Sequence, residues 1–151
     1  MQAMQSIQDI TERELNTLIL IRSMKEFITD EYDNLSSLNN VVWSFEESLS
    51  AEEHMQYVED ICKLTASGYL ISDATENHIK EDKVPDVEGI SLKGESLLKK
   101  WEEETRETVS SGKTVIINLN FNFSLIEISS DILDTVGSIF KFIGGKFKNE
   151  K

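Results

Sequence analysis

Residues 67 to 98 read SGYLISDATENHIKEDKVPDVEGISLKGESLL, and this stretch decides the fold. Two short apolar segments, YLIS and VEGIS, flank a charged insert over residues 73 to 86 that contains the chain's one proline, Pro85. Short apolar runs bounded by Gly, Pro and Asp are typical of strands, so the two segments are predicted to pair antiparallel across a long loop. Ser91 then predicts the N-cap of a helix. The residues expected on the buried side of that helix are Leu92, Leu97, Leu98 and Trp101.

Helical patterns precede this stretch. Thr11, followed three residues later by Glu14, predicts a capping box that opens a strongly apolar first helix. A shorter helix is predicted over residues 38 to 49, where apolar residues recur with a period near 3.6. Ser50 and Glu53 predict a second capping box, and Gly68 is placed where left-handed backbone ends a helix. The apolar stripe predicted for this third helix consists of Met55, Val58, Ile61, Cys62 and Leu64 or Thr65.

The last third of the chain begins with a strand pattern, unlike the helical patterns that open the chain. Residues 111 to 125, SGKTVIINLNFNFSL, alternate apolar and polar side chains, which predicts a strand. Its partner is expected to be the hairpin or the same strand of another subunit. A single helix is predicted from Ser129 or Ser130 to the pair of glycines at 144 and 145. Because both segments present apolar faces, we expect the chain to form a homo-oligomer through Val115, Ile117, Leu119, Phe121, Phe123, Ile132, Val136 and Phe140.

Three helices, a hairpin with a long loop and a further helix follow one another in the order of a winged helix. Residues 55 to 101 resemble the winged-helix proteins of the YjcQ-like family and related small families of Gram-positive bacteria and their phages. The residues that fit their pattern are Gly68, Tyr69, Leu70, Ser91, Lys93, Gly94, Leu97 and Leu98. The resemblance implies a fold and no particular activity. We therefore predict an α+β protein, with a winged-helix-like domain over residues 1 to 108 and a C-terminal strand and amphipathic helix over residues 109 to 151.

The charge of the chain argues against nucleic acid as its ligand. Asp and Glu number 28 against 15 Lys and Arg, giving a net charge of −13, whereas affinity for DNA comes mainly from Lys and Arg that neutralise phosphates. Winged helices that read DNA insert their third helix into the major groove. Here that helix is acidic, with Lys63 as its one lysine. The residues predicted to contact a protein partner with a basic surface are Glu52, Glu53, Gln56, Glu59 and Asp60.

The preferred function is therefore a non-catalytic one, as an inhibitor or adaptor of a nucleic-acid-handling system. One alternative is a DNA-binding transcriptional regulator that contacts phosphates through Lys63, Lys80 and Lys83. A second alternative is a peripheral membrane protein anchored by residues 130 to 148. Membrane binding is disfavoured because Asp131 and Asp134 near the helix start, with lysines near its end, suit any packed helix.

Catalysis, metals and cofactors find no support in the sequence. Cys62 is the one cysteine, which excludes an intramolecular disulfide and a zinc site built on paired cysteines. His78 lies near Asp73 and Glu76, but no further fixed ligand completes a metal site. The chain lacks a phosphate-binding glycine pattern and a catalytic triad. With no secretory pattern at the N-terminus, a cytoplasmic protein is expected.

Overall fold

The computed structural model describes residues 10–27, 49–81, 83, 85–119 and 125–150. The chain is α+β, and its elements are α1 (Glu12–Phe27), α2 (Ala51–Ala66), β1 (Leu70–Ser72), α3 (Glu76–Glu81), β2 (Val87–Ile90), α4 (Leu92–Ser110), β3 (Val115–Ile117), β4 (Ile126–Ile128), α5 (Ser130–Val136) and α6 (Ile139–Glu150). The helix predicted over residues 38 to 49 lies outside the described residues except for its last position, Leu49.

Capping boxes open α1 and α2, as the sequence predicts. The Thr11 hydroxyl accepts a hydrogen bond from the Glu14 N–H at 3.1 Å, and the Glu14 carboxylate accepts one from the Thr11 N–H at 3.3 Å. Ser50 and Glu53 repeat the arrangement at 3.2 and 3.0 Å. Each box satisfies two backbone donors that a helix start would otherwise leave without partners. Helix α2 ends before Gly68, which has a φ of +87°, as predicted.

Strands β1 and β2 form the predicted antiparallel hairpin, with Leu70 opposite Ile90 and Ile71 opposite Gly89. The connection between them is not the long loop that the sequence suggested, because it contains α3. The Asp73 carboxylate accepts a hydrogen bond of 2.7 Å from the Asp86 N–H and so closes the base of the connection. A short helix, α3, therefore lies in the connection between the two strands of the hairpin.

Helix α4 starts at the predicted N-cap, where the Ser91 hydroxyl accepts a hydrogen bond from the Gly94 N–H at 3.0 Å. Leu97, Leu98 and Trp101 are buried, as expected. The expectation that Leu92 faces inward is wrong, since it is 88% exposed. Leu92 is the first residue of the helix, and the side packed against the hairpin begins only at Gly94.

The strand of the last third has its partner in the same chain. Strand β3 pairs antiparallel with β4, so that Val115 lies opposite Ile128 and Ile117 opposite Ile126. The prediction that the hairpin or a second subunit supplies this partner is wrong. Strand β4 has only three residues, too few for its alternation to be recognised in the sequence. Leu125, the last residue of the alternating segment, lies directly before β4 and is 63% exposed.

The C-terminal helix predicted as one element is two. Helix α5 ends at Gly137, whose φ of +83° gives the left-handed cap typical of glycine. Helix α6 then runs through Gly144 and Gly145, where the sequence predicted its end. The two glycines at 144 and 145 are therefore tolerated inside a helix, whereas a single glycine at 137 stops one.

One hydrophobic core joins the two ends of the chain. Helix α6 packs on α1, and its Ile139, Phe140 and Ile143 are buried in the same cluster as residues of α1, α2 and α4. The rings of Trp101 and Phe140 lie 5.7 Å apart, and the Arg22 guanidinium lies 5.1 Å from the Phe140 ring centre. Buried residues from before and after residue 108 thus belong to the same cluster.

Candidate functional site

Helix α2 presents one polar face to solvent. Glu52, Gln56, Glu59 and Lys63 recur at spacings of three and four residues, which places them along one side of the helix. Met55 lies on the same side and is 57% exposed. We call these five residues the α2 acidic face. Of its two carboxylates, that of Glu52 lies in the first turn of the helix, where the partial positive charge of the helix dipole stabilises it.

Two of these side chains already interact with each other. The Lys63 ammonium lies 3.1 Å from the Glu59 carboxylate, and both side chains are about half exposed. The single lysine of this face is thus partly neutralised. Glu52 is exposed and carries the unbalanced negative charge at the other end of the face.

The sequence predicted two roles for Glu53, in a capping box and in contact with a partner. Its carboxylate accepts the hydrogen bond from the Ser50 N–H that completes the capping box. Glu53 is also less exposed than Glu52. Its main role is therefore to stabilise the start of α2.

Asp60 is buried, and the expectation that it faces a partner is wrong. Its side chain is 3% exposed and lies 2.9 Å from the guanidinium of Arg13 in α1. The Thr17 hydroxyl donates a second hydrogen bond to it at 2.9 Å. Burial raises the pKa of Asp60, while the Thr17 hydrogen bond and the Arg13 charge oppose that rise. Asp60 joins α2 to α1 and is unavailable to a partner.

The buried side of α2 is rotated from the stripe that the sequence predicted. Its buried apolar residues are Tyr57, Val58, Ile61 and Leu64. Met55, which was assigned to the stripe, lies on the exposed side. The spacing of Tyr57, Asp60, Ile61 and Leu64 is itself helical, and Arg13 and Thr17 lie four residues apart on α1. No local pattern in the sequence joins Arg13 and Thr17 to Asp60, because only the packing of α1 on α2 brings them together.

Two of the three lysines of the DNA-binding alternative lie beside carboxylates. Lys63 pairs with Glu59, and Lys83 lies 3.9 Å from Glu81. Lys80 is exposed on α3. Because phosphate binding depends on net positive charge at the contact surface, these pairs weaken the case for a nucleic-acid site.

His78 and Cys62 serve the structure around α3. The His78 Nδ1 accepts a hydrogen bond of 3.0 Å from the Thr75 N–H, and its Nε2 lies 3.8 Å from Asp73. The Cys62 thiol donates to the Thr75 carbonyl at 3.6 Å. Burial and the nearby Glu59 raise the pKa of that thiol, which is the opposite of what an activated nucleophile needs. In the described part of the chain, no group of three or more His, Cys, Asp or Glu could hold a metal ion.

In the described part of the chain, three of the eight residues predicted to mediate self-association are buried in the core. Ile117, Leu119 and Phe140 are buried, while Val115 and Ile132 are partly buried. Phe121 and Phe123 lie outside the described residues, and Val136 is the last residue of α5. Ile117, Leu119 and Phe140 pack within one chain, and self-association stays a prediction.

The anchoring helix of the membrane alternative is no bilayer span: in the described ranges, no helix combines the length and the apolar character needed to cross a membrane. The chain matches no protein-family model, and comparison with curated proteins and solved structures finds no significant match. The functional proposal consequently rests on the chain's own residues.

Proposed function

We propose that this chain is a non-catalytic winged-helix protein that binds a basic protein surface through the α2 acidic face. The winged-helix assignment is supported by the order of α2, the β1–β2 hairpin and α4, with α1 packed against α2. It is also supported by the residues that carry the family resemblance, because they meet at one junction. The Lys93 ammonium lies 4.4 Å from the Tyr69 ring centre and donates to the Ser67 carbonyl at 2.7 Å.

The observation that carries the proposal is the composition of the exposed side of α2. In a winged helix this side would meet DNA, yet here it offers Glu52 and Glu59, with Lys63 bound to Glu59. Met55 adds an exposed apolar side chain between the carboxylates. Interfaces commonly surround an apolar anchor with complementary charges, which set orientation and association rate. The α2 acidic face thus fits a basic surface that has a pocket for Met55.

The partner that we propose is a component of a nucleic-acid-handling system, which the chain would inhibit or recruit. Proteins that bind phosphate backbones present Lys and Arg over wide surfaces, and an acidic helix competes for such a surface by the same electrostatics. Affinity should therefore fall as salt rises, because exposed charges are screened.

The test is affinity capture from the native host with variants of matched charge. Combining Glu52→Gln and Glu59→Gln should abolish capture of a specific basic protein. Combining Glu103→Gln and Glu107→Gln, on the exposed side of α4, changes the net charge equally and should retain it. Met55→Ala should weaken binding by about 1–2 kcal/mol without changing charge.

Equal capture by both double variants would show that α2 is not the binding surface. Retardation of a DNA duplex at low salt would support the transcriptional regulator instead, if replacing Lys63, Lys80 and Lys83 by Ala removed it. Flotation with anionic liposomes, lost on truncation at Ser129, would support the membrane alternative.

A further inference from the structure

A cavity of about 390 Å³ lies between the start of α1, α4 and β3. Residues 115 to 118 all line it, although side chains alternate between the two sides of a strand. Ile116 is 60% exposed, whereas its neighbour Ile117 is buried on the other side. Residues of both sides meet one cavity only where it lies against the edge of the strand. The cavity therefore runs along an edge of β3.

This edge is the one turned away from β4. Strand β4 pairs with the other edge of β3, and none of the residues of β4 lines the cavity. In the part of the chain that the structure describes, β4 is also the one strand paired with β3. Along an edge strand, every second residue directs its N–H and C=O groups away from the neighbouring strand. Those backbone groups of β3 are therefore directed toward the cavity.

The opposite wall of the cavity is helical. Glu12, Leu15 and Asn16 are spaced three and four residues apart from Glu12 onward, so they lie along one side of the first turns of α1. Trp101 of α4 also lines the cavity. We call this cavity, between a strand edge and a helix, the α1–β3 groove. An exposed sheet edge binds an extended peptide as an added strand, with affinity from backbone hydrogen bonds and specificity from alternate side chains.

The charge of the groove narrows the choice of peptide. Glu12 is exposed, and it is the one charged residue among the described residues that line the groove. The net charge of −13 on the chain also attracts a cationic segment. Leu15 and Trp101 are buried at the wall of the groove and offer apolar contact to side chains on the inner side of an added strand.

We infer that the α1–β3 groove binds an extended segment of a partner protein, in which apolar and basic side chains alternate. The segment pairs with the free edge of β3, its apolar side chains face Leu15 and Trp101, and a basic side chain reaches Glu12. None of the residues of the α2 acidic face lines the groove, so this inference does not depend on the proposed function.

The probe is an octapeptide of alternating Val and Lys, blocked at both ends and titrated into the full chain by calorimetry. The wild type should bind it, and amide hydrogen exchange should slow at alternate positions of residues 115 to 118. The same peptide methylated on every backbone nitrogen keeps its side chains and charges but has no backbone donors. Its affinity should be lower by about tenfold or more, because the hydrogen bonds to β3 are lost.

Two substitutions, each with a matched control, locate the peptide. Asn16→Trp fills the groove from the side of α1 and should abolish binding, whereas Asn77→Trp, at an exposed position of α3, should not change it. Glu12→Gln should weaken binding by up to about fivefold, the usual limit for an exposed ion pair. Glu103→Gln, on the exposed side of α4, should leave the affinity unchanged. The two peptides are compared on the wild type, so the test stays informative even if Asn16→Trp folds poorly.

Absence of binding to the unmethylated peptide would overturn the inference, as would equal binding of the methylated one, which would show attraction by charge alone. Binding that survives Asn16→Trp and is lost when Glu52→Gln and Glu59→Gln are combined would place the peptide on the α2 acidic face instead. A free chain that sediments as a dimer, and that the peptide dissociates, would assign the groove to a second copy. Binding seen only after removal of residues 1 to 9 would assign it to the chain's own N-terminal segment. Each of these results would overturn a partner segment as the occupant.

Discussion

At the scale of single residues, the junction between the hairpin and α4 depends on how closely two backbones approach. Gly94 is buried against the Tyr69 carbonyl, and a Cβ at this position would overlap that oxygen and lie 2.7 Å from the Ile90 side chain. Lys93 covers the Tyr69 ring from the same turn of the helix. Tyr69, Lys93 and Gly94 thus hold α4 against the strands.

Gly94→Ala should destabilise the fold because the overlapping atom belongs to the backbone and cannot rotate away. Overpacking typically costs about 1–3 kcal/mol, and we expect the upper part of that range. Gly89→Ala is the matched control, since a Cβ there meets nothing within 4 Å. Urea denaturation followed by circular dichroism measures both changes. An equal effect of the two substitutions would contradict this explanation.

Residue roles that depend on near neighbours could be predicted from the sequence, and those that depend on another element could not. The capping boxes at Thr11 and Ser50 join residues three positions apart, so the local pattern specifies them. Asp60 looks like any acidic residue of an exposed helix until Arg13 is placed beside it by packing of α1 on α2. The same packing turns Met55 outward.

At the scale of elements, α1 and α2 are joined by a charged group inside their interface. The carboxylate of Asp60 contacts both Arg13 and Thr17, and the buried Glu14 lies near enough for its charge to raise the pKa of Asp60. Burial is the largest influence on its pKa and raises it above the ordinary value of 3.8. The folded chain therefore holds a proton on Asp60 more tightly than the unfolded chain does.

Asp60→Asn should raise the free energy of unfolding at neutral pH, because burial disfavours the charged carboxylate that the amide replaces, and the Arg13 side chain left behind is 37% exposed and so remains hydrated. As pH falls through the raised pKa of Asp60, the wild type gains a proton on folding and its stability rises toward that of the variant. The difference should be lost once pH is below 3.8. Denaturation at a series of pH values measures the difference in free energy of unfolding between the wild type and the variant. Asp134→Asn, on the exposed side of α5, is the control. A difference that does not change with pH would contradict the raised pKa.

Elements of three to seven residues account for most of the differences between the predicted and observed fold. Helix α3 has six residues and depends on His78 and Thr75 for its first turn, and β4 has three. Segments so short carry too few residues for a helical or alternating period to stand out. The longer α1, α2 and α4 repeat their apolar positions over several turns and were predicted.

At the scale of the whole molecule, the C-terminal third completes the core around α1. Helix α1 buries Leu18, Ile19, Leu20 and Ile21 completely, which one neighbouring helix cannot achieve because these residues point in several directions. Helix α2 covers one side and α6 another. Glu102 of α4 accepts a hydrogen bond of 3.2 Å from the Ile139 N–H, and Arg106 donates to the Gly137 carbonyl. The sequence suggested an appendage because it does not show which helix faces α1.

A single core predicts that a change in α6 destabilises the whole chain. Phe140 is 5% exposed between Trp101 of α4 and Arg22 of α1, so Phe140→Ala should cost about 3–5 kcal/mol. Denaturation should remain one transition, shifted equally whether it is followed by circular dichroism or by tryptophan fluorescence. Lys99→Ala, at an exposed position of α4, should shift the denaturation midpoint only by the small amount typical of surface substitutions. If residues 109 to 151 formed an independent unit, Phe140→Ala would instead separate the curve into two transitions and leave the earlier part of the chain as stable as before.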